Sequence, residues 1–292
     1  MTSRFTRLSA RFPRKRVFIT GAGSGLGLEL AKLLADDGWT LGLFDRNLDR
    51  LTSVEAQFTD AGVKVVAYPG DVTQADELTV AVNSFAATHD GLDVMINNAG
   101  VAGAGSMMEV SLEDWRWIID INVMGVVHGS RAAIPHLQRN GNGLLINVAS
   151  AAAFASAPGM VSYNATKAAV VSISETLVNE LRPIGTQVSV VMPSFFRSSL
   201  LETLRGPEHA RACEPDNGEI GISSGASRAR FADRIRRRPY LHRATQSGPH
   251  DVANETLDAA AFSRSGKKLH AATTAGPGMI QFGESTASKK RV

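Results

Sequence analysis

Residues Phe18 to Leu30 read "FITGAGSGLGLEL". A short apolar run ends in Gly21, Gly25 and Gly27, then passes directly into residues of helical period. The expected order is strand, tight turn, helix. In an open parallel sheet, the turn leaving the carboxyl end of the first strand faces the ligand crevice. Glycines there let the backbone approach a pyrophosphate, and the following helix offers unpaired N–H groups and a positive dipole end. Ser24 and Leu26 belong to the same turn and are candidate contacts. The spacing is not the GxGxxG fingerprint. A plain tight turn is the alternative, and the placement between strand and helix favours phosphate binding.

Outward from this turn the chain alternates. Short aliphatic or β-branched runs, "RVFIT", "TLGLF", "VKVVAY", "DVMIN", "GLLINVAS" and "QVSVVMP", are separated by longer segments of helical period. Continuous apolar strands between helices predict a mostly parallel sheet covered on both faces, an α/β doubly wound fold. The expected organisation is one domain: a basic arm over 1–15, a dinucleotide-binding catalytic core over 16–205, and an irregular extension over 206–292. In that extension "HDVANETLDAAAF" reads as one helix, "KKLHAATT" as a last strand, and "GESTASKKRV" as a solvated tail.

The second run ends in Asp45, roughly 20 residues past the glycines, where a ribose-binding acid is expected. A carboxylate there accepts hydrogen bonds from a ribose 2′-OH and repels a 2′-phosphate, which favours NAD over NADP. Arg46 next to it argues the other way, because a guanidinium pairs with phosphate. NAD is the expected cofactor, with NADP the alternative.

Composition narrows the class. The 292 residues are 43% hydrophobic and 20% charged, as in a globular chain, and 31 basic against 28 acidic residues give a net charge of only +3. Cys213 is the only cysteine, so no intrachain disulfide forms and a reducing, cytoplasmic location is expected. No apolar run reaches membrane-spanning length. The acid-free start "MTSRFTRLSARFPRKR" has the Arg and Ser content of a transit peptide, but is read as a short solvated arm. The histidines are scattered, and no metal site is expected.

Three further motifs carry a resemblance. "NNAG" (Asn97–Gly100) closes the fourth run. "INVAS" closes the fifth in Ser150. "YNATK" follows, with Tyr163 thirteen residues after Ser150. With "TGAGSGLG", and in this order, they resemble the short-chain dehydrogenase/reductase family over about Arg16 to Ser199. The resemblance implies a Rossmann-type NAD(P)-dependent oxidoreductase. It implies catalytic roles for Asn122, Ser150, Tyr163 and Lys167. It implies cofactor contacts at Gly21, Gly25 and Gly27, at Asp71 with its neighbour Val72, at Asn98, Ala99 and Gly100, at Tyr163 and Lys167, and at Pro193 and Ser198. Where the family has Pro-Gly, this chain has Pro193-Ser194.

The spacing suits those roles. Tyr163 and Lys167 are i and i+4 and share a helix face. An ammonium beside the phenol is expected to lower its pKa, making it a general base for alcohol oxidation or an acid for ketone reduction. Asn164 and Thr166 fall on other faces and are expected to have no catalytic role. Phe154, Met160, Phe195, Phe196 and Leu200, with Met107 and Met108, suggest a cleft for a small hydrophobic alcohol or ketone; core or oligomer packing is the plainer reading of each. A homodimer or homotetramer is expected.

Rival readings are weaker. "GISSG" (Gly221–Gly225), with Asp251 and His270 following, matches a hydrolase elbow but lacks a strand before it and a helix after it. "RIRRRPYLHR" has the content of a nucleic-acid patch, yet a solvated basic face is preferred. A non-catalytic NAD(P)-binding sensor of the same fold remains the main alternative.

Overall fold

The computed structural model describes residues 6–139, 141–193, 203–207, 269–271 and 279–284. Six strands arise from the six apolar runs: β1 (Arg16–Thr20), β2 (Thr40–Asp45), β3 (Val65–Pro69), β4 (Val94–Asn97), β5 (Leu144–Val148) and β6 (Gln187–Pro193). They pair in parallel in the order β3-β2-β1-β4-β5-β6. The order reverses between β1 and β4, so the carboxyl ends of these strands form the crevice where such folds bind ligands. Beyond β6 lie β7 (Leu269–Ala271) and β8 (Met279–Glu284), with β8 parallel to β6 and β7 antiparallel to β8. "KKLHAATT" therefore contributes a strand, but β8 follows it and takes part of the expected tail. Phe195, Phe196, Ser198, Leu200, Cys213, "GISSG", "RIRRRPYLHR" and "HDVANETLDAAAF" lie outside the described residues.

Strand alternation divides the core in two. Val17, Ile19, Leu41, Leu43, Val94 and Ile96 face one side, with α1 (Thr6–Arg11), α2 (Gly25–Asp36) and α3 (Leu48–Asp60). Phe18, Phe44, Met95 and Leu145 face the other, with α4 (Ala75–Thr88), α5 (Leu112–Ile119), α6 (Gly125–Arg139) and α8 (Val161–Leu181). The short helix α7 (Ala152–Ala155) follows β5. Gly42 is required on the second face: a Cβ would lie 2.5 Å from Phe18 and 2.8 Å from Phe85.

On that face Asn97 and Asn147 are register partners on β4 and β5. Asn97 Nδ2 donates to Asn147 Oδ1 (2.9 Å) and to Ser130 Oγ (3.1 Å); Asn147 Nδ2 donates to Ser174 Oγ (3.0 Å). This buried chain ties the central strands to α6 and α8. At the opposite end of the sheet, Arg16 and Asp93, both buried, form a two-point ion pair at 2.8 and 3.0 Å.

The arm before β1 is not a solvated tail. It forms α1, whose Leu8 and the following Phe12 are buried in the first core beside Trp39. Ser9 bonds Asp37, Trp39 Nε1 donates to both, and Arg11 bonds Asn142 and Gln187. Burial lowers the Arg11 pKa to about 10. Of the basic residues read as a charged arm, Arg11, Arg14 and Lys15 anchor it: Arg14 pairs with Asp90 and Lys15 Nζ donates to the Asp37 carbonyl. Leu8→Ala should cost about 2 kcal/mol, the low end for a core truncation because a peripheral helix can settle. Urea unfolding checks this, and an unchanged midpoint means the arm is not docked.

Candidate active site

The glycine turn is built by backbone demands. Gly21 and Gly25 have φ of +66° and +53°, which side chains rarely adopt. Gly27 has no room: a Cβ would fall on the Gly21 carbonyl and 2.5 Å from Asn98 Nδ2. Ser24 is the N-cap position of α2, and Leu26 packs against the first core. The turn is held from two sides. Asn98 Nδ2 donates to the carbonyls of Thr20 (2.9 Å) and Gly21 (3.1 Å). The Thr20 hydroxyl accepts the N–H groups of Asn98 (3.0 Å) and Ala99 (3.1 Å). Sequence reasoning missed Thr20; the signal was a hydroxyl ending an otherwise apolar strand.

Asp45 ends β2 and bridges to the turn. Its Oδ2 accepts the Gly23 N–H (2.8 Å) and its Oδ1 the Asn47 N–H (2.9 Å). The acid read from sequence as a ribose contact is therefore also a brace of the phosphate turn. Arg46 is exposed. Asp71 Oδ1 accepts the Thr73 N–H (2.9 Å), Val72 is buried, and the Val72 carbonyl accepts from His128 Nδ1 (2.9 Å). This glycine turn at a helix N-terminus, flanked by an acid at the next strand end, has the elements of a dinucleotide site.

Asn122 sits in a π-helical turn (Asp120–Met124) between α5 and α6. Such a turn bulges one residue from a helix and is frequent at functional sites. Asn122 is fully buried: Oδ1 accepts the Val101 N–H (2.8 Å), and Nδ2 donates to the Val101 carbonyl (3.0 Å) and to Thr166 Oγ1 (3.2 Å). Thr166, expected on another face, is buried in this network and donates to the Tyr163 carbonyl (2.9 Å). Asn164 donates to the Ala157 carbonyl (2.9 Å), away from it.

The buried stripe of α8 is largely polar: Ser162, Tyr163, Thr166, Lys167 and Ser174, with Val170 and Val171. Ala165 and Ala168 are exposed. Lys167 Nζ donates to the Val148 carbonyl (3.1 Å) and lies 5.8 Å from the Tyr163 ring centre. A Cβ on Gly100 would lie 3.2 Å from Asn122 Oδ1 and 3.3 Å from Lys167 Nζ, so these groups converge there. Ser150 follows β5; its Oγ accepts the Ala152 N–H (3.1 Å), and the Ser150 side chain lies close enough to Tyr163 to act on its pKa. The two strand ends are joined by Ala151 N–H to the Pro193 carbonyl (3.0 Å).

The expected lowering of the Tyr163 pKa is reversed. Burial raises the Tyr163 phenol above its ordinary value, and the hydrogen bond from Ser150 only partly opposes this. Burial lowers Lys167 to about 8. The Lys167 ammonium, 5.8 Å from the Tyr163 ring centre, does not offset this rise.

Of the apolar candidates, Met160 is buried in the same cluster as Tyr163. Phe154 is half-buried against Val126, Ala149, Val170, Val171, Val190 and Met192. Met107 and Met108 are exposed. Among the described residues, no group of three or more His, Cys, Asp or Glu could hold a metal ion, and no helix is long and apolar enough to cross a membrane.

Residues 15–209 match the family model described as short chain dehydrogenase. An uncharacterized oxidoreductase of Staphylococcus aureus is 34% identical over 203 residues, 70% of this chain and 87% of its own length. A short chain dehydrogenase/reductase from Burkholderia phymatum in complex with NAD is 29% identical, with a TM-score of 0.63 over 83% of each chain. A 3-ketoacyl-(acyl-carrier-protein) reductase from Brucella melitensis, complexed with NADH, is 32% identical, with a TM-score of 0.62 over 65% of this chain and 79% of its own. With its parallel sheet, its glycine turn and the convergence of Ser150, Tyr163 and Lys167, the chain belongs to the short-chain dehydrogenase family and is an NAD(P)-dependent oxidoreductase acting on CH–OH groups.

Proposed function

We propose that the protein interconverts a small hydrophobic secondary alcohol and its ketone, with NAD as the preferred nucleotide. The observation that carries this is the placement of half-buried Ser150 close enough to buried Tyr163 to pull its pKa down, with buried Lys167 bonded to the Val148 carbonyl beside them at the carboxyl ends of the strands. The glycine turn, Asp45, Asp71, Val72 and Asn98 to Gly100 hold the nucleotide, with Pro193 and Ser198 on the nicotinamide side. The bound nicotinamide supplies the hydride acceptor or donor. Ser150 orients the substrate oxygen by hydrogen bonding. Tyr163 takes the hydroxyl proton during oxidation and returns it during reduction. Lys167 binds ribose hydroxyls and supports the charge that develops on Tyr163. Asn122 holds the π-turn and Val101 in place for a proton relay. Met160 and Phe154, with Phe195 and Phe196, supply apolar surface for the substrate. The chain acts as a homodimer or homotetramer, which light scattering in solution reads directly.

The test is a screen of apolar secondary alcohols and ketones with NAD(H) and NADP(H), following reduced-nicotinamide absorbance. Turnover with neither nucleotide would overturn the proposal and favour the sensor reading. Asp45→Ala has a double expectation because Asp45 also braces Gly23. It should raise the KM for NAD by roughly ten- to a hundredfold, the worth of a lost charged hydrogen bond. It should also narrow the preference over NADP. An unchanged KM ratio would remove Asp45 from nucleotide selection.

A further inference from the structure

We infer that His128 is a positioning residue for nucleotide binding: by donating to the Val72 carbonyl it fixes the Asp71–Val72 turn against α6, on the adenine side of the site. The inference rests on the nucleotide-binding reading above and adds to it a residue that no motif marks.

The turn that follows β3 is fastened on one side by β2 and α4. The Gly70 N–H donates to the Asp45 carbonyl (3.2 Å), and the Asp71 N–H donates to Glu77 Oε2 (2.9 Å) in the first turn of α4. Within the turn, the Gln74 N–H donates to the Asp71 carbonyl (2.9 Å) and the Thr73 N–H to Asp71 Oδ1 (2.9 Å). Asp45 is shared: its carbonyl holds Gly70 while its carboxylate holds Gly23. The Asp71–Val72 turn and the glycine turn therefore hang from one residue at the end of β2.

The other side is held by α6 alone among these elements. His128 Nδ1 lies 2.9 Å from the Val72 carbonyl oxygen, 56 residues away in sequence. A carbonyl only accepts, so Nδ1 carries the proton in this contact. Gly125, three residues earlier on the same helix face, stands against the Val72 side chain; a Cβ there would lie 2.9 Å from Val72 Cγ2. So α6 meets Val72 twice, with bare backbone against its side chain and with an imidazole on its carbonyl. Val72 is buried and His128 half-buried. Gly125 opens α6 directly after the π-helical turn that carries Asn122. His128 thus joins the nucleotide turn to the helix whose start is fixed at the catalytic end. Without its donor the Val72 carbonyl loses its partner on α6, and the turn keeps only its β2 and α4 fastenings. Ordering it then falls on the nucleotide, so the loss appears in affinity.

Fluorescence titration of the full chain with NADH and with NADPH gives the dissociation constants. Competition by ADP-ribose, which carries the adenine and lacks the nicotinamide, reads the adenine end separately. His128→Leu removes the donor and should weaken the preferred nucleotide and ADP-ribose alike by about three- to tenfold, the worth of one hydrogen bond. His128→Asn places an amide N–H where Nδ1 stands and should bind both within about twofold of the parent. Parent-like dissociation constants in His128→Leu, with or without a lowered urea midpoint, would overturn the positioning role. Equal weakening in the Leu and Asn variants would overturn the hydrogen bond as its cause. Weakened nucleotide with unchanged ADP-ribose would place the loss away from the adenine end and overturn the role there. A parent that binds neither NADH nor NADPH would overturn the nucleotide-binding reading itself, which the variants alone cannot do.

Discussion

Tyr163→Phe lowers kcat by about 10²- to 10⁴-fold, the range for loss of a positioned acid–base group, while nucleotide affinity stays within a few-fold of the parent. The phenol oxygen is the only atom removed, and the ring keeps its place in the core beside Met160 and Ile118. Single-turnover absorbance measurements separate the chemical step from binding. A variant as fast as the parent would remove Tyr163 from proton transfer. The raised pKa gives the pH dependence a direction. Alcohol oxidation needs the phenolate, so its rate climbs with pH into the alkaline range. Ketone reduction uses the neutral phenol and is flat through neutral pH. The stability linked to the buried neutral phenol is complete below its ordinary value of 10.0, and is lost as pH rises through the folded value above it.

Lys167→Met should move activity and stability in opposite directions. Burial lowers the lysine from its ordinary 10.5 to about 8, so its charged form is carried at a cost. At pH 7 removing that charge should stabilise the fold by about 3 kcal/mol, at 1.36 kcal/mol per pKa unit. Methionine keeps the length of the side chain, and the Val148 carbonyl loses one donor, so the net gain sits at or below that figure. The sign fixes the pH window. The unfolded chain binds more protons than the folded one between about 8 and 10.5, so parent stability rises there and the gap to the variant closes. Turnover falls in the same variant, because the ribose and Tyr163 lose their cation. Urea unfolding at pH 7 and pH 10.5 checks the first part; a destabilised variant at both would show that the lysine is held by its contacts rather than tolerated.

The six core strands were legible in the sequence because each is a short, almost uniformly apolar run bounded by turn residues, and a strand buried on both faces leaves little else to read. The glycine turn was legible for a related reason: Gly21 and Gly25 have backbone angles that side chains rarely adopt, and a Cβ on Gly27 would meet the Gly21 carbonyl. The quartet Asn122, Ser150, Tyr163 and Lys167 stands in ordered motifs that carried the family resemblance, and the fold brings their segments together.

Other features depend on partners far away in the chain. Thr166 reads as one more polar residue until Asn122 is placed against it, 44 residues earlier. The arm before β1 reads as solvated because its arginines carry the composition, while Leu8 and Phe12 find their core only once Trp39 is in position. Asp45 reads as a ligand contact, and its hold on Gly23 appears only when β2 lies beside the turn.

By itself the sequence determined the six core strands of a doubly wound sheet and the glycine turn after the first of them, since these follow from local backbone limits and hydrophobic period, while the candidate catalytic residues came from the family resemblance of its ordered motifs. Only the tertiary structure decided the protonation balance of Tyr163 and Lys167 and the stacking of Arg205 over Trp117. Desolvation and long-range packing set both, and neither has a local signature in the chain.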